Sequence, residues 1–297
     1  MTSKNRHTAA SPRVLFLGVN GVFSRVVLEA LIAAGVPLVG LVTPRPDRQH
    51  APRWVSFPPV GRSLFQLAAQ HELPILEIGA LAHPAARPAL RSLNPDVIVT
   101  ACFPRLLPAS WLALPRLGCL NLHPSLLPAY RGPYPLFWQF RAGETRTGVT
   151  LHFMDAGADT GDIAAQAEVP FPDGITGPEA DTLTAQAGAR LLIQALRSPE
   201  NIPRRPQPAE NASYHPRPTP RDLEIPTTWR ARRAFNFIRG ANEWRPFRLQ
   251  LPGSREAAAV WEALEYAEGV ELGAACQREG DTLRVQFADG VVRVRSG

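Results

Sequence analysis

Asn121 and His123 stand two apart in the run Leu120-Asn121-Leu122-His123. On a strand, side chains alternate faces, so the amide and the imidazole point one way while Leu120 and Leu122 point into a core. Pro124 has no N–H to give a sheet and ends the strand. Open α/β sheets bind ligands beyond the carboxyl ends of their strands, which is where this pair falls. A second run, residues 147–154, also reads as a strand and leads into a glycine-rich turn with three carboxylates, Asp155, Asp159 and Asp162. An amide can donate to an oxyanion, an imidazole can move protons near neutral pH, and a carboxylate can orient the imidazole. Together they are the parts of an acyl-transfer site. On residue type alone, any of the three aspartates could complete the set. His123, His152, Asp155 and Asp159 could instead ligate a metal, but His152 has no H-x-x-x-H partner and no metal is expected. Ser125 lacks a G-x-S-x-G context, so a loop-fixing hydroxyl is expected rather than a nucleophile.

The pattern N-x-H-x-S-L-L-P-x-x-R-G over residues 121–132, followed by T-G-V-T at 147–150 and D-T-G-D at 159–162, resembles the formyltransferases that use 10-formyltetrahydrofolate. The layout is most similar to the methionyl-tRNA formyltransferase branch; sugar N-formyltransferases and glycinamide ribonucleotide formyltransferase share the core. The likeness is strong over about 94–163, looser over 13–93 and weak after about 220. It implies Asn121, His123 and Asp159 as catalytic residues; Asp162 is expected to tether the turn and Asp155 to face solvent or the next loop, as turn-forming residues do. It also implies a pterin pocket with Arg105, Leu106 and Leu107 on one wall and Met154, Ala156, Gly157 and Ala158 on the other. Plain core is the competing reading for Leu106 and Leu107. Ser125, Arg131 and Gly132 would shape the acceptor loop, Arg131 bracing it or meeting an anionic group.

The elements around these residues indicate an α/β fold. Residues 13–18 and 38–43 read as buried strands, with a helical pattern over 23–34 closed by Gly35. Strand, helix and strand make a right-handed βαβ unit. Gly18 and Gly21 lack the full dinucleotide fingerprint and are expected to form a tight turn. Helices are expected over 63–71 and 180–196, and strands over 73–76 and 96–101. The expected architecture is a doubly wound, Rossmann-like, mostly parallel sheet over 13–196, after a disordered polar stretch at 1–12. Residues 197–220 hold seven prolines and read as an extended linker. Beyond it, a helix near 231–239 and alternating runs at 283–287 and 291–294 suggest a small, separately packed β domain, OB-like by the resemblance.

Charge and cysteine narrow the setting. The net charge of +6 comes from residues 197–248, with eleven arginines against five acids, whereas 256–297 carry eight acids and four arginines. A basic strip suits phosphates or nucleic acid, although such runs are also ordinary solvated faces. The long stretch 43–59 adds Arg45, Arg48 and Arg53, of which Arg48 and Arg53 are expected to meet the substrate. Cys102, Cys119 and Cys276 have no metal or disulfide spacing, and Cys102 and Cys119 are expected to be buried thiols. No run is long enough to span a bilayer and no secretory pattern opens the chain, so a cytoplasmic enzyme is expected. The implied reaction moves a formyl group from 10-formyltetrahydrofolate to a primary amine. The amine could be charged initiator tRNA or a small amine such as a nucleotide-linked amino sugar. A hydrolase releasing formate from the same donor is the alternative of another class.

Overall fold

A computed structural model describes residues 11–45, 62–251 and 257–297. Residues 1–10, Arg48 and Arg53 lie outside the described residues. The chain opens with β1 (Val14–Gly18), α1 (Val22–Ala33), β2 (Leu38–Pro44), α2 (Leu64–Gln70), β3 (Ile75–Ile78), α3 (Ala86–Ser92), β4 (Val97–Ala101), α4 (Ala109–Leu112) and β5 (Cys119–His123). Then come α5 (Pro135–Ala142), β6 (Arg146–Phe153), β7 (Ile163–Pro170) and α6 (Gly177–Leu196). These seven strands form one sheet in the order β3-β2-β1-β4-β5-β6-β7. β1 to β5 are parallel, β6 runs against them, and β7, antiparallel to β6, returns to their direction. The central strands β1 and β4 are buried throughout, as near-continuous aliphatic runs with helices on both faces require. α6 starts with a capping box between Thr176 and Glu179, which satisfies N–H groups that the first turn leaves unpaired.

The order reverses between β1 and β4, and the direction reverses between β5 and β6. The second reversal sets the register of the site. Thr100 on β4 and His152 on β6 flank Asn121 directly, and Thr150 lies opposite His123. Three neighbouring strands thus deliver side chains to one spot on one face.

The C-terminal region holds β8 (Glu224–Pro226), α7 (Ala231–Gly240), β9 (Phe247–Gln250), β10 (Ala257–Glu268), β11 (Cys276–Glu279), β12 (Thr282–Phe287) and β13 (Gly290–Ser296). Its strands form a second, six-stranded sheet ordered β11-β12-β13-β10-β9-β8. This region does not pack by itself. Phe137 and Phe140 of α5 and Ala180 of α6 share one apolar cluster with Phe237, Phe247, Val260 and Val294. The reason is α5, whose Leu136, Phe137 and Phe140 are buried in that cluster and not in the cores on the first sheet. Residues 197–220 are also not a free tether. Arg205 pairs antiparallel with Ile163, and Tyr214 pairs parallel with Arg131, so the segment runs as a strap over the loops at the end of β5 and β6.

Candidate active site

Thr100 Oγ1 donates to Asn121 Oδ1 at 2.6 Å. That turns the amide nitrogen towards His152 and Asp159: Asn121 Nδ2 lies 3.0 Å from His152 Nε2 and donates to Asp159 Oδ1 at 3.3 Å. The Nδ1 of His152 lies 2.8 Å from the Phe153 carbonyl. A carbonyl only accepts, so Nδ1 carries the proton and bare Nε2 takes the amide N–H. The same logic fixes His123. Its Nε2 lies 2.8 Å from the Tyr130 carbonyl, leaving Nδ1 bare and 3.6 Å from Asp159 Oδ1. Asp159 Oδ2 accepts the Gly132 N–H at 3.0 Å. Gly132 sits at φ +110°, and a Cβ there would strike the His215 carbonyl, so only glycine brings this N–H to the carboxylate.

Burial pushes the His123 imidazole towards the neutral form; Asp159 and the Tyr130 carbonyl pull the other way without overcoming it. Burial also opposes the charge of Asp159, but the two imidazoles and the Gly132 N–H hold its carboxyl well below the usual carboxylate range. With His123 neutral near pH 7, the donors that then hold the anion are the Gly132 N–H and the Asn121 amide. The resting site is therefore a neutral base beside a fixed carboxylate, with an amide N–H directed at the same point.

These groups form part of the wall of a cavity of about 320 Å³. Arg105, Leu106, Met154, Gly157 and Ala158 line it, as do Asn121, His123, Gly132 and Asp159. Leu107 does not. It is 4% exposed and packs with Trp111, Leu15, Leu17 and Cys119 in the core on the same face of the sheet as Asn121, beneath the cavity rather than in its wall. Ala156 is exposed and outside the lining. Ser125 is buried and donates to the Ala129 carbonyl at 2.7 Å, closing its own loop. Arg131 turns from the cavity and donates twice to Gln207 Oε1, at 3.1 and 2.7 Å. Asp155 accepts from the Gly157 N–H and the Thr160 hydroxyl and so builds the turn.

Sequence reasoning left several residues out. Thr100 is a lone hydroxyl in an aliphatic strand, which was the available signal; its register opposite Asn121 comes only with the sheet. Residue type and spacing present His152 only as a metal ligand, whereas both its nitrogens serve hydrogen bonds. Gly240, Ala241, Glu243 and Trp244 line the cavity from the C-terminal region, and no local pattern marks them.

The formyl transferase family model matches residues 13–196. The methionyl-tRNA formyltransferase of Symbiobacterium thermophilum is 34% identical over 298 residues, covering 95% of this chain and 86% of the relative. That of Bordetella petrii is 36% identical over 307 residues, covering 95% and 90%. An N-formyltransferase structure from Helicobacter canadensis, in complex with folinic acid and dTDP-3-aminofucose, superposes with a TM-score of 0.66 at 16% identity, covering 95% of this chain and 98% of that one. At that identity the likeness is one of fold. The relatives span nearly the whole chain, the family model covers the sheet that carries Asn121, His123 and Asp159, and the chain belongs to the formyltransferase family, enzymes that transfer a formyl group.

Proposed function

We propose that this enzyme takes its formyl group from 10-formyltetrahydrofolate and gives it to the methionyl amine of charged initiator tRNA. The observation that carries the chemistry is the Asn121 amide, held by Thr100 and donating to Asp159 Oδ1, the same oxygen that bare His123 Nδ1 approaches at 3.6 Å. The amine nitrogen attacks the formyl carbon. The Asn121 N–H now shared with Asp159 at 3.3 Å turns to the developing oxyanion; one such donor is worth about 3 kcal/mol. His123 Nδ1 takes the proton that the amine loses and passes it to the departing N10 nitrogen as the old C–N bond breaks. Asp159 steadies the imidazolium in between. The products are a formamide and tetrahydrofolate.

Leu106, Met154 and Ala158 give the cavity an apolar wall suited to a pterin ring. In this reading residues 13–196 carry catalysis, 197–220 join, and 221–297 close the acceptor side, in a cytoplasmic enzyme. The acceptor assignment leans on relatives that cover 95% of the chain and bear that name. A small amine, such as a nucleotide-linked amino sugar, is the second reading, and water as acceptor is the third.

The test is the purified chain with 10-formyltetrahydrofolate and three alternatives: charged initiator tRNA, a panel of small amines, and no acceptor. Formyl-methionine on the tRNA at rates well above the others is expected. Formylation of a small amine only, or formate release unchanged by any acceptor, would replace the tRNA reading.

A further inference from the structure

The strap over residues 205–215 touches both loops that hold His123's partners. Tyr130, whose carbonyl fixes the protonated nitrogen of His123, donates its N–H to Ser213 Oγ at 2.9 Å. The Ser213 N–H in turn bonds the Pro128 carbonyl, and its own carbonyl accepts the Arg131 N–H. On the other loop, Asp159 holds φ +57°, a conformation that non-glycine residues adopt at a cost. The carbonyls of Asp159 and Gly161 both accept from one group, Gln207 Nε2, each at 2.8 Å. The same side chain accepts two bonds from Arg131 on the first loop. One amide thus uses all four of its bonds to join the loop carrying Asp159 to the loop carrying Tyr130 and Gly132.

From this geometry we infer that Gln207 is a positioning residue for the transfer reaction: it locks the two loops together and so keeps the Asp159 carboxylate at its station beside His123. Gln207 is absent from the cavity lining and acts through Arg131 and the Asp159 and Gly161 carbonyls. The inference rests on the catalytic reading of Asp159 and His123, yet it makes no use of which amine is the acceptor. Without the brace, the strained turn relaxes, the carboxylate withdraws and the imidazole loses its anionic neighbour. Displacements of about 1 Å at such a site can slow turnover by roughly 10²-fold.

Gln207→Met keeps length and removes all four bonds; Gln207→Glu keeps the two from Arg131 and removes the two donations. Both are measured against the parent by kcat and KM for the donor, by thermal unfolding, and by NMR titration of His123, assigned through a His123→Gln variant. A 10- to 100-fold fall in kcat is expected, with KM changed less than about threefold. His123 should titrate at lower pH than in the parent, because the neighbouring carboxylate supports its protonated form. The groups facing that ring are Asp159, His152 and the Tyr130 carbonyl, so the direction of the shift reports Asp159. If both variants fold and keep kcat within twofold, or slow down while His123 titrates as before, Gln207 is not a positioning residue. If either variant unfolds, Ser213→Ala, which loosens the strap at its other end, decides by the same two readouts. The titration needs no acceptor, so it stands even if the tRNA reading fails. A parent whose His123→Gln variant is fully active would instead remove the catalytic reading itself.

Discussion

Thr100 decides which way the Asn121 amide faces, because its hydroxyl donates to Oδ1 and so leaves Nδ2 for the cavity side. Thr100→Val keeps the shape and removes that donor. The amide is then free to turn, and turnover should fall by about tenfold or more, while Thr100→Ser should retain most of it. Steady-state rates for the three proteins check this, and equal activity in Thr100→Val would detach the hydroxyl from the mechanism. The same cluster makes stability depend on pH. His123 is less readily protonated folded than unfolded, so stability is complete above its ordinary value of 6.5 and declines as pH falls below it. Asp159 adds a second loss only at more acid pH, since its lowered value keeps its contribution intact down to about its unfolded value of 3.8. Urea midpoints should therefore drop between pH 7 and pH 5 in the parent and change less in His123→Gln. At this scale the sequence was most informative where spacing equals geometry. Asn121 and His123 lie two apart on a strand and share a face by necessity. Thr100 and His152 join them through cross-strand register, which depends on residues far apart in the chain.

Among elements, β1 to β6 and the helices α1, α2 and α6 follow from aliphatic runs and helical spacing, with ends displaced by a few residues: the helix expected from 180 starts at Gly177, beside its capping box, whereas α3, α4 and β7 carry no pattern that announces them. In the C-terminal region β8, β9, β10 and β11 were not expected. Ala257–Glu268 holds five alanines and three glutamates, residues that favour helix, yet it forms β10 because β9 and β13 pair with it from both sides. The proline-rich segment lacks periodicity because it is held by two isolated backbone bridges and by Gln207 and Ser213 side chains, none of which needs a repeating pattern. α7 is the element that joins the two sheets. Its Phe237 is fully buried, with ring centroids 5.5 Å from Phe137, 5.1 Å from Phe247 and 5.7 Å from Trp229. Phe237→Ala should destabilise the protein by about 3–5 kcal/mol, the range for emptying a buried aromatic site. Since Phe137 also lines the cavity, the variant should lose affinity for acceptor as well. A loss below about 1 kcal/mol in urea denaturation would mean that α7 is not what binds the two sheets together.

Across the whole molecule, the arginine excess of residues 197–248 divides into two kinds that composition cannot separate. Arg232 is bonded to Asp173 at 2.7 Å, Arg233 stacks 3.9 Å from the Trp229 ring centre and donates to the Arg141 carbonyl, and Arg204 lies 3.4 Å from the Phe153 ring centre. These cations already serve the fold. Arg205 is exposed beside the loop carrying Asp159, and the Arg230 side chain is 83% exposed with only a 3.8 Å approach to Asp289. If the acceptor is a tRNA, the second kind should meet phosphates and the first should not. Binding of charged tRNA should weaken steeply with salt, and Arg205→Ala and Arg230→Ala should each reduce the slope of log affinity against log salt by roughly 0.7–0.9, the value of one phosphate contact. Arg232→Ala should leave the slope alone and lower stability by no more than about 1 kcal/mol, as expected for an exposed pair. Filter binding across a salt series separates the cases. A slope that is flat in the parent would remove the polyanion, and with it the tRNA acceptor; a steep slope untouched by Arg205→Ala and Arg230→Ala would move the contact surface to other arginines.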